Sequence, residues 1–203
     1  MAVITKLEVQ KRNKQKVNMY LDGEFRCGLT AESVVRNGLK AGDELSEEKL
    51  EEILFTSETE IAFNKACDYI SRAMKTAKQT SDYLKKKGFD EKVADRAVKK
   101  LCGYGYVDDC RYAELFVENS GTKGARRLIS ELTARGVPKE TAVSAAEKIS
   151  PEAALENVTA LAEKYMRSKE PTMENLVKLQ RFLLSRGFDY DAVLQAINKY
   201  RKD

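Results

Sequence analysis

The 203-residue sequence contains no histidine and no tryptophan, only three prolines, and four cysteines with no CxxC pair among them. Without histidine the chain lacks the commonest general base and metal ligand, and the side chain whose ordinary pKa suits proton transfer near neutrality. Most hydrolase and metalloenzyme readings weaken accordingly, and neither a metal site nor a cofactor is expected. Cys27, Cys67, Cys102 and Cys110 have neither zinc-site nor redox spacing and read as reduced core thiols. The opening MAVITKLEV has no apolar h-region, and no stretch approaches the roughly 20 apolar residues of a membrane span. A cytoplasmic protein with no membrane contact is expected.

Hydrophobic residues make up 42% of the chain and charged residues 33%, above the roughly 25% charged of an average domain. With so few prolines this suggests helices with solvated faces rather than a β-sandwich or barrel. The net charge of +4 is uneven: residues 1–61 hold 9 basic against 12 acidic side chains, and residues 62–110 hold 11 against 7. Residues 111–150 hold 7 against 5, and residues 151–203 hold 9 against 8. So mild an excess fits weak contact with free DNA, or a composite partner, better than a protein bound through many phosphates.

Residues 2–10, 17–21 and 24–29 are short β-prone segments, and Asp22-Gly23 is a type I′ hairpin signal, so a three-stranded meander is expected. The basic stretch Lys11–Lys16 reads as its first connecting loop, a solvated turn rather than a phosphate contact. Thr30 is placed to cap a short helix ending at Gly38, and Ser46 to cap a longer one with Glu47 and Glu48 in its first turn. The first 58 residues thus read as an α+β module.

From about residue 60 the pattern is helical and repeats. Residues 81–101, 129–149 and 180–200 align without a gap on Gly88, Gly136 and Gly187. Four residues before each glycine stands Leu84, Leu132 or Leu183; immediately before it Lys87, Arg135 or Arg186; immediately after it Phe89, Val137 or Phe188. Nine and ten residues on come Ala97-Val98, Ala145-Ala146 and Ala196-Ile197. Each element has a physical use: a helix ending on a buried leucine and a cation, a glycine able to take positive φ, an apolar anchor, and a second helix. Asp90 and Asp189 stand at the next capping position, and Pro138 replaces them in the second repeat. Amphipathic stretches at 60–73, 110–119 and 153–168 precede the repeats. The expected fold is mainly α: three tandem three-helix units, residues 59–109, 110–150 and 151–203, after the module of residues 1–58. Stacked units of this kind make an elongated curved array, expected to be monomeric.

The stretch Leu101-Cys102-Gly103-Tyr104-Gly105-Tyr106-Val107-Asp108-Asp109-Cys110-Arg111-Tyr112-Ala113, with Gly124-Ala125-Arg126-Arg127 and Glu131–Val137, resembles the RecX family of bacterial recombination regulators. Lys85-Lys86-Lys87-Gly88-Phe89, the third repeat and the leading hairpin module extend the resemblance over nearly the whole chain. It implies a modulator of RecA that lies along the RecA–DNA filament on single-stranded DNA, in recombination and repair. One departure is Gln79-Thr80, where the family often has an acidic residue followed by leucine, which leaves the packing of that helix open.

Asp108-Asp109 is a paired carboxylate without a third acidic ligand nearby; Asp109 reads as the N-cap of a helix over 111–118, with Tyr106 and Val107 anchoring the turn. Gly121-Thr122-Lys123-Gly124 has the GxxG spacing with which KH domains clamp a nucleic-acid backbone, but the strands of a KH fold are not expected beside it. Tyr69, Phe116, Tyr165 and Phe182 fall at apolar helical spacings and read as core. The candidate interface is cationic. Counted back from the repeat glycines, Lys75 and Lys78 match Lys123 and Arg126, and i, i+3 spacing would set each pair on one helix face. Arg127, Lys85, Lys86, Lys87 and Arg135 extend this stripe, which fades in the third unit, where Glu174 and Val177 take the matching places. A charge run is usually a solvated face, whereas coincidence of position between repeats is not needed for solvation. The leading expectation is therefore a non-enzymatic RecA-filament regulator, with a free-standing helix-turn-helix DNA-binding protein as the alternative.

Overall fold

The computed structural model describes residues 1–201, which contain four strands and ten helices. Strands β1 (Ala2–Gln10), β2 (Asn13–Leu21) and β3 (Glu24–Thr30) form an antiparallel meander, joined on the other side of β1 by the two-residue β4 (Glu44–Leu45), in the order β3-β2-β1-β4. Asp22 and Gly23 both take positive φ, at 50° and 91°, as a type I′ turn requires. The expected loop Lys11–Lys16 is shorter than that: only residues 11 and 12 form the turn, and residues 13–16 already belong to β2. Their side chains are polar, so period-2 hydrophobicity does not mark them, yet Lys16 pairs in register with Thr30. One face of the sheet buries Ile4, Val17, Met19 and Leu29.

Thr30 caps α1 (Ala31–Arg36), its hydroxyl accepting from the Ser33 N–H at 3.0 Å. Ser46 caps α2 (Glu47–Ile70), a single 24-residue helix. The sequence suggested a module ending near residue 58 and a new helix near 60; with no glycine or proline between residues 47 and 70 nothing interrupts the helix there. Glu60, buried on α2, accepts from the Thr30 hydroxyl at 2.7 Å and from Arg36 at 2.6 Å, tying α1 to the helix.

The helices that follow are α3 (Ala77–Lys86), α4 (Glu91–Gly103), α5 (Asp109–Glu118), α6 (Ala125–Ala134) and α7 (Lys139–Glu147). The last three are α8 (Pro151–Met166), α9 (Met173–Ser185) and α10 (Tyr190–Asn198). The repeat is realised in the core: Leu84, Leu132 and Leu183 are completely buried, and Ala97, Val98, Ala145, Ala146, Ala196 and Ile197 are buried behind them. At the first repeat the Phe89 N–H donates to Leu84 O at 3.2 Å and Gly88 N–H to Lys85 O at 3.0 Å, a turn that Val137 and Gly136 reproduce at 3.1 and 2.9 Å. The cysteines depart from the expectation of core thiols. Cys102 and Cys110 are exposed and Cys67 half-buried, because alanine, leucine and valine take the interior positions of their helices, and Cys27 on β3 is half-buried as well.

The chain divides into two compact units, residues 1–73 with 80–107, and residues 74–79 with 108–203. Among the described residues no helix is long and apolar enough to cross a membrane.

Candidate functional site

Lys75, Lys78, Lys123, Arg126 and Arg127 lie at the starts of α3 and α6, and Lys85, Lys86, Lys87 and Arg135 at the ends of the same helices; the structure corrects how the first group is presented. Lys75 and Lys123 both precede the helix, so neither shares a helix face with Lys78 or Arg126. The reason is that the helices start later than the charge spacing suggests. Thr76, fully buried, opens α3: its hydroxyl accepts from the Gln79 N–H at 3.1 Å, and Gln79 Oε1 accepts from the Thr76 N–H at 3.2 Å. This reciprocal pair is a capping box, and it accounts for Gln79 where the family pattern is often acidic.

Both helix starts are seated on a repeat glycine. The Thr76 hydroxyl donates to Arg135 O at 2.6 Å, and the Lys78 Cβ lies so near Gly136 that a methyl group there would sit 2.2 Å from it. At the second joint Gly124 N–H donates to Arg186 O at 3.0 Å and Arg126 N–H to Gly187 O at 3.3 Å. A Cβ on Gly187 would come 2.4 Å from Arg127 N, and one on Gly124 would come 2.2 Å from Gly187 O. The Gly121–Gly124 loop is therefore packed against backbone rather than open to clamp a phosphate, which removes the KH-like reading.

Several stripe residues have intramolecular partners, so the stripe is not a uniformly solvated face. Lys123 Nζ lies 2.6 Å from Glu131 Oε2, both side chains 24% exposed, and 5.1 Å from the centre of the Phe116 ring. Arg127 Nε reaches the other Glu131 oxygen at 2.9 Å. The Lys123 ammonium, followed by Arg127, holds the Glu131 carboxyl below its ordinary range. Arg126 approaches Asp189 at 3.3 Å with both side chains well exposed, and Lys85 pairs with Glu91. Lys75 is half-buried, whereas Lys78 and Lys86 are exposed.

The cation before each repeat glycine lies over an aromatic ring of its own unit. Lys87 is 5.6 Å from the Tyr83 centroid, Arg135 is 4.7 Å from Phe116, and Arg186 is 5.1 Å from Phe182. Arg135 also donates to the Tyr112 hydroxyl at 2.8 Å. Tyr83 and Phe182 both stand five residues before their glycine, inside the aligned stretches, whereas the second unit has Glu131 there and takes its ring from Phe116 on α5. These rings are half-buried and paired rather than deep core: Tyr69 stacks on Tyr83 at 4.0 Å, Tyr165 on Phe182 at 4.9 Å and Tyr112 beside Phe116 at 6.3 Å.

The paired carboxylates divide their work differently from expectation. Asp108, not Asp109, is the N-cap of α5, accepting from Arg111 N–H at 2.9 Å, while Asp109 Oδ1 accepts from Ala77 N–H at 2.9 Å. The helix starts one residue early because Asp108 holds the extended conformation a cap needs, freeing Asp109 to satisfy the first turn of α3. Val107 is buried, but Tyr106 is 62% exposed and does not anchor the turn. Among the described residues no group of three or more His, Cys, Asp or Glu side chains comes together to hold a metal.

Residues 2–46 match the model described as the regulatory protein RecX N-terminal domain. Residues 62–101 match the first RecX three-helix domain, and residues 152–197 the third. The regulatory protein RecX of Clostridium botulinum (strain Alaska E43) is 35% identical over 98% of this chain and 96% of its own length. The chain belongs to the RecX family. RecX of Clostridioides difficile is 33% identical over 98% of this chain and 96% of its own length. A crystal structure of regulatory protein RecX superposes with a TM-score of 0.79 at 27% identity, covering 98% of this chain and all of that one. RecX from Lactobacillus salivarius shares the fold at 23% identity, with a TM-score of 0.66 over 71% of this chain. The RecX assignment makes this a member of a regulatory family rather than of a known enzyme family, built from an N-terminal strand module and three-helix units.

Proposed function

We propose that this RecX-family protein acts by binding rather than by chemistry, as a non-enzymatic cytoplasmic regulator that lies along the RecA filament on single-stranded DNA and lowers its recombinase and ATPase activity. The carrying observation is the equivalence of Lys75-Thr76-Ala77-Lys78 and Lys123-Gly124-Ala125-Arg126, which deliver two cations each to a helix start seated on a repeat glycine. A filament groove offers phosphate and protein together, so a net charge of only +4 suffices. The contacts in this reading are Lys75, Lys78, Lys85, Lys86, Lys87, Lys123, Arg126, Arg127 and Arg135, several of which, Lys85, Lys123, Arg126 and Arg127 among them, also pair within the fold. Direct affinity for naked DNA is weak in this reading, and the protein works as a monomer with the module of residues 1–58 preceding units at 59–109, 110–150 and 151–203. The last helix of the middle unit, α7, exposes Lys139, Glu140 and Glu147, a mixed surface that gives a duplex-reading helix-turn-helix little support.

The test is RecA ATPase and co-sedimentation on single-stranded DNA with increasing protein. Inhibition at or below stoichiometric ratios is expected; none at stoichiometry overturns the proposal. Replacing Lys75, Lys78, Lys123 and Arg126 together by alanine removes contacts of about 1 kcal/mol each, so filament binding falls by about a thousandfold. Lys199, near the end of the described residues, is the control, and Lys199→Ala leaves binding unchanged.

A further inference from the structure

The segment Arg96–Tyr106, RAVKKLCGYGY, contains three cations and no carboxylate, and it ends on two tyrosines that stay more than half exposed. Gly105, at φ 70°, turns the chain out of α4: its N–H donates to Cys102 O at 2.9 Å and the Tyr106 N–H to Leu101 O at 2.9 Å. The apolar anchor of this turn is Val107, 4% exposed. That leaves Tyr104 59% and Tyr106 62% exposed. Tyr104 stands edge-on to Phe63 at 5.9 Å, and the rings of Tyr104 and Tyr106 are 5.8 Å apart, inclined at 51°. Lys100 Nζ lies 4.7 Å from the Phe63 centroid and 5.9 Å from that of Tyr104, on the same shelf. Counted from the repeat glycine, the place of Tyr104 in the second unit is taken by Glu152, so a ring there is no requirement of the three-helix fold.

We propose that Tyr104 and Tyr106, with Lys100, form a stacking shelf for the unpaired bases of single-stranded DNA. Exposed ring faces beside a cation match a nucleotide in both its parts, the base by stacking and the phosphate by charge. A duplex keeps its base faces covered, so the shelf selects single strands without reading sequence. This deepens the filament reading, which places the protein on RecA-coated single-stranded DNA, by assigning a base contact separate from the cations at the starts of α3 and α6.

The experiment measures binding of the full chain to a fluorescent oligo(dT) and to an abasic strand of equal length. The double variant Tyr104→Ala/Tyr106→Ala should bind oligo(dT) about tenfold more weakly or worse, about 1.4 kcal/mol. It should bind the abasic strand as the unsubstituted protein does, with an unchanged salt slope. Tyr104→Phe/Tyr106→Phe, which keeps the ring faces, should stay within about twofold of the unsubstituted protein on oligo(dT). Circular dichroism confirms that each variant is folded. Undiminished oligo(dT) affinity of the alanine variant, equal losses on both strands, or no preference of the unsubstituted protein for oligo(dT) over the abasic strand overturns the shelf. Co-sedimentation with RecA filaments is read separately. Loss of filament binding with oligo(dT) affinity intact would make the shelf a protein contact and overturn the assignment. An unsubstituted protein inert toward RecA whose oligo(dT) affinity still depends on the rings would leave the shelf standing and remove the filament reading.

Discussion

Gly88, Gly136 and Gly187 are the same residue at the same repeat position with nearly the same backbone, φ 90°, 90° and 86°, yet their surroundings differ. A Cβ on Gly88 would meet nothing within 4 Å, whereas one on Gly136 would strike Lys78 and one on Gly187 the Arg127 backbone. The first glycine serves only its own turn. The other two are also the seats on which the starts of α3 and α6 rest. A sequence repeat thus records the local requirement common to all three copies, while the docking requirement appears only where a second segment arrives.

The largest effect that sharpens this contrast is expected from Gly187→Ala, which adds an overlap with backbone to left-handed strain and should cost about 3 kcal/mol or more. Gly136→Ala meets the stem of a side chain and should cost slightly less, and Gly88→Ala only about 1 kcal/mol of backbone strain. Urea unfolding followed by circular dichroism orders the three, and equal losses would break the comparison. Next comes Thr76→Val, which removes both the capping bond to Gln79 and the bond to Arg135 O from a fully buried site, for about 2 kcal/mol. A loss no greater than that of an exposed threonine such as Thr133 would show that the α3 joint is not held through this hydroxyl.

A smaller difference separates cations that have partners from those that do not share one. Lys123→Ala should cost about 1 kcal/mol, since it releases Glu131 and uncovers Phe116, while Lys78→Ala keeps the Cβ that touches Gly136 and should cost about 0.5 kcal/mol at most. The smallest effect is in pH. Glu131 is held below its ordinary pKa in the folded protein, so its contribution is present above about pH 4.3, the usual glutamate value, and is lost as pH falls through the lower folded value. Glu131→Gln should flatten the acid limb of the stability profile by under about 1 kcal/mol and leave neutral and alkaline slopes alone. An unchanged acid limb would show that the Lys123–Glu131–Arg127 cluster adds nothing to folding.

Of the candidate interface, the cationic residues and their register between units were readable from residue spacing, but their presentation was not. Lys75 and Lys123 look helical by i, i+3 arithmetic, and only the Thr76–Gln79 box and the seat at Gly187 show the helices starting after them. Asp108 and Asp109 are interchangeable as capping signals one residue apart; the choice fell to Asp108 because Asp109 meets the Ala77 N–H, a partner 32 residues away. Tyr106 reads in sequence as an anchor of the turn together with Val107, but Val107 alone is buried there and Tyr106 is left exposed.

The fold class, the hairpin at Asp22-Gly23, the three repeat glycines and the buried leucines four residues before them are legible in the residues alone, because each follows from local backbone preference and helical period. The tertiary structure decided what those signals leave open. It made α2 continuous past residue 58, set Arg135 over a ring from another helix, and distinguished crowded glycines from an open one. The physical reason is range: a turn or a helix face is fixed by residues within about four positions of one another. A seat, an ion pair or an uncovered ring depends on which distant segment comes to lie against it.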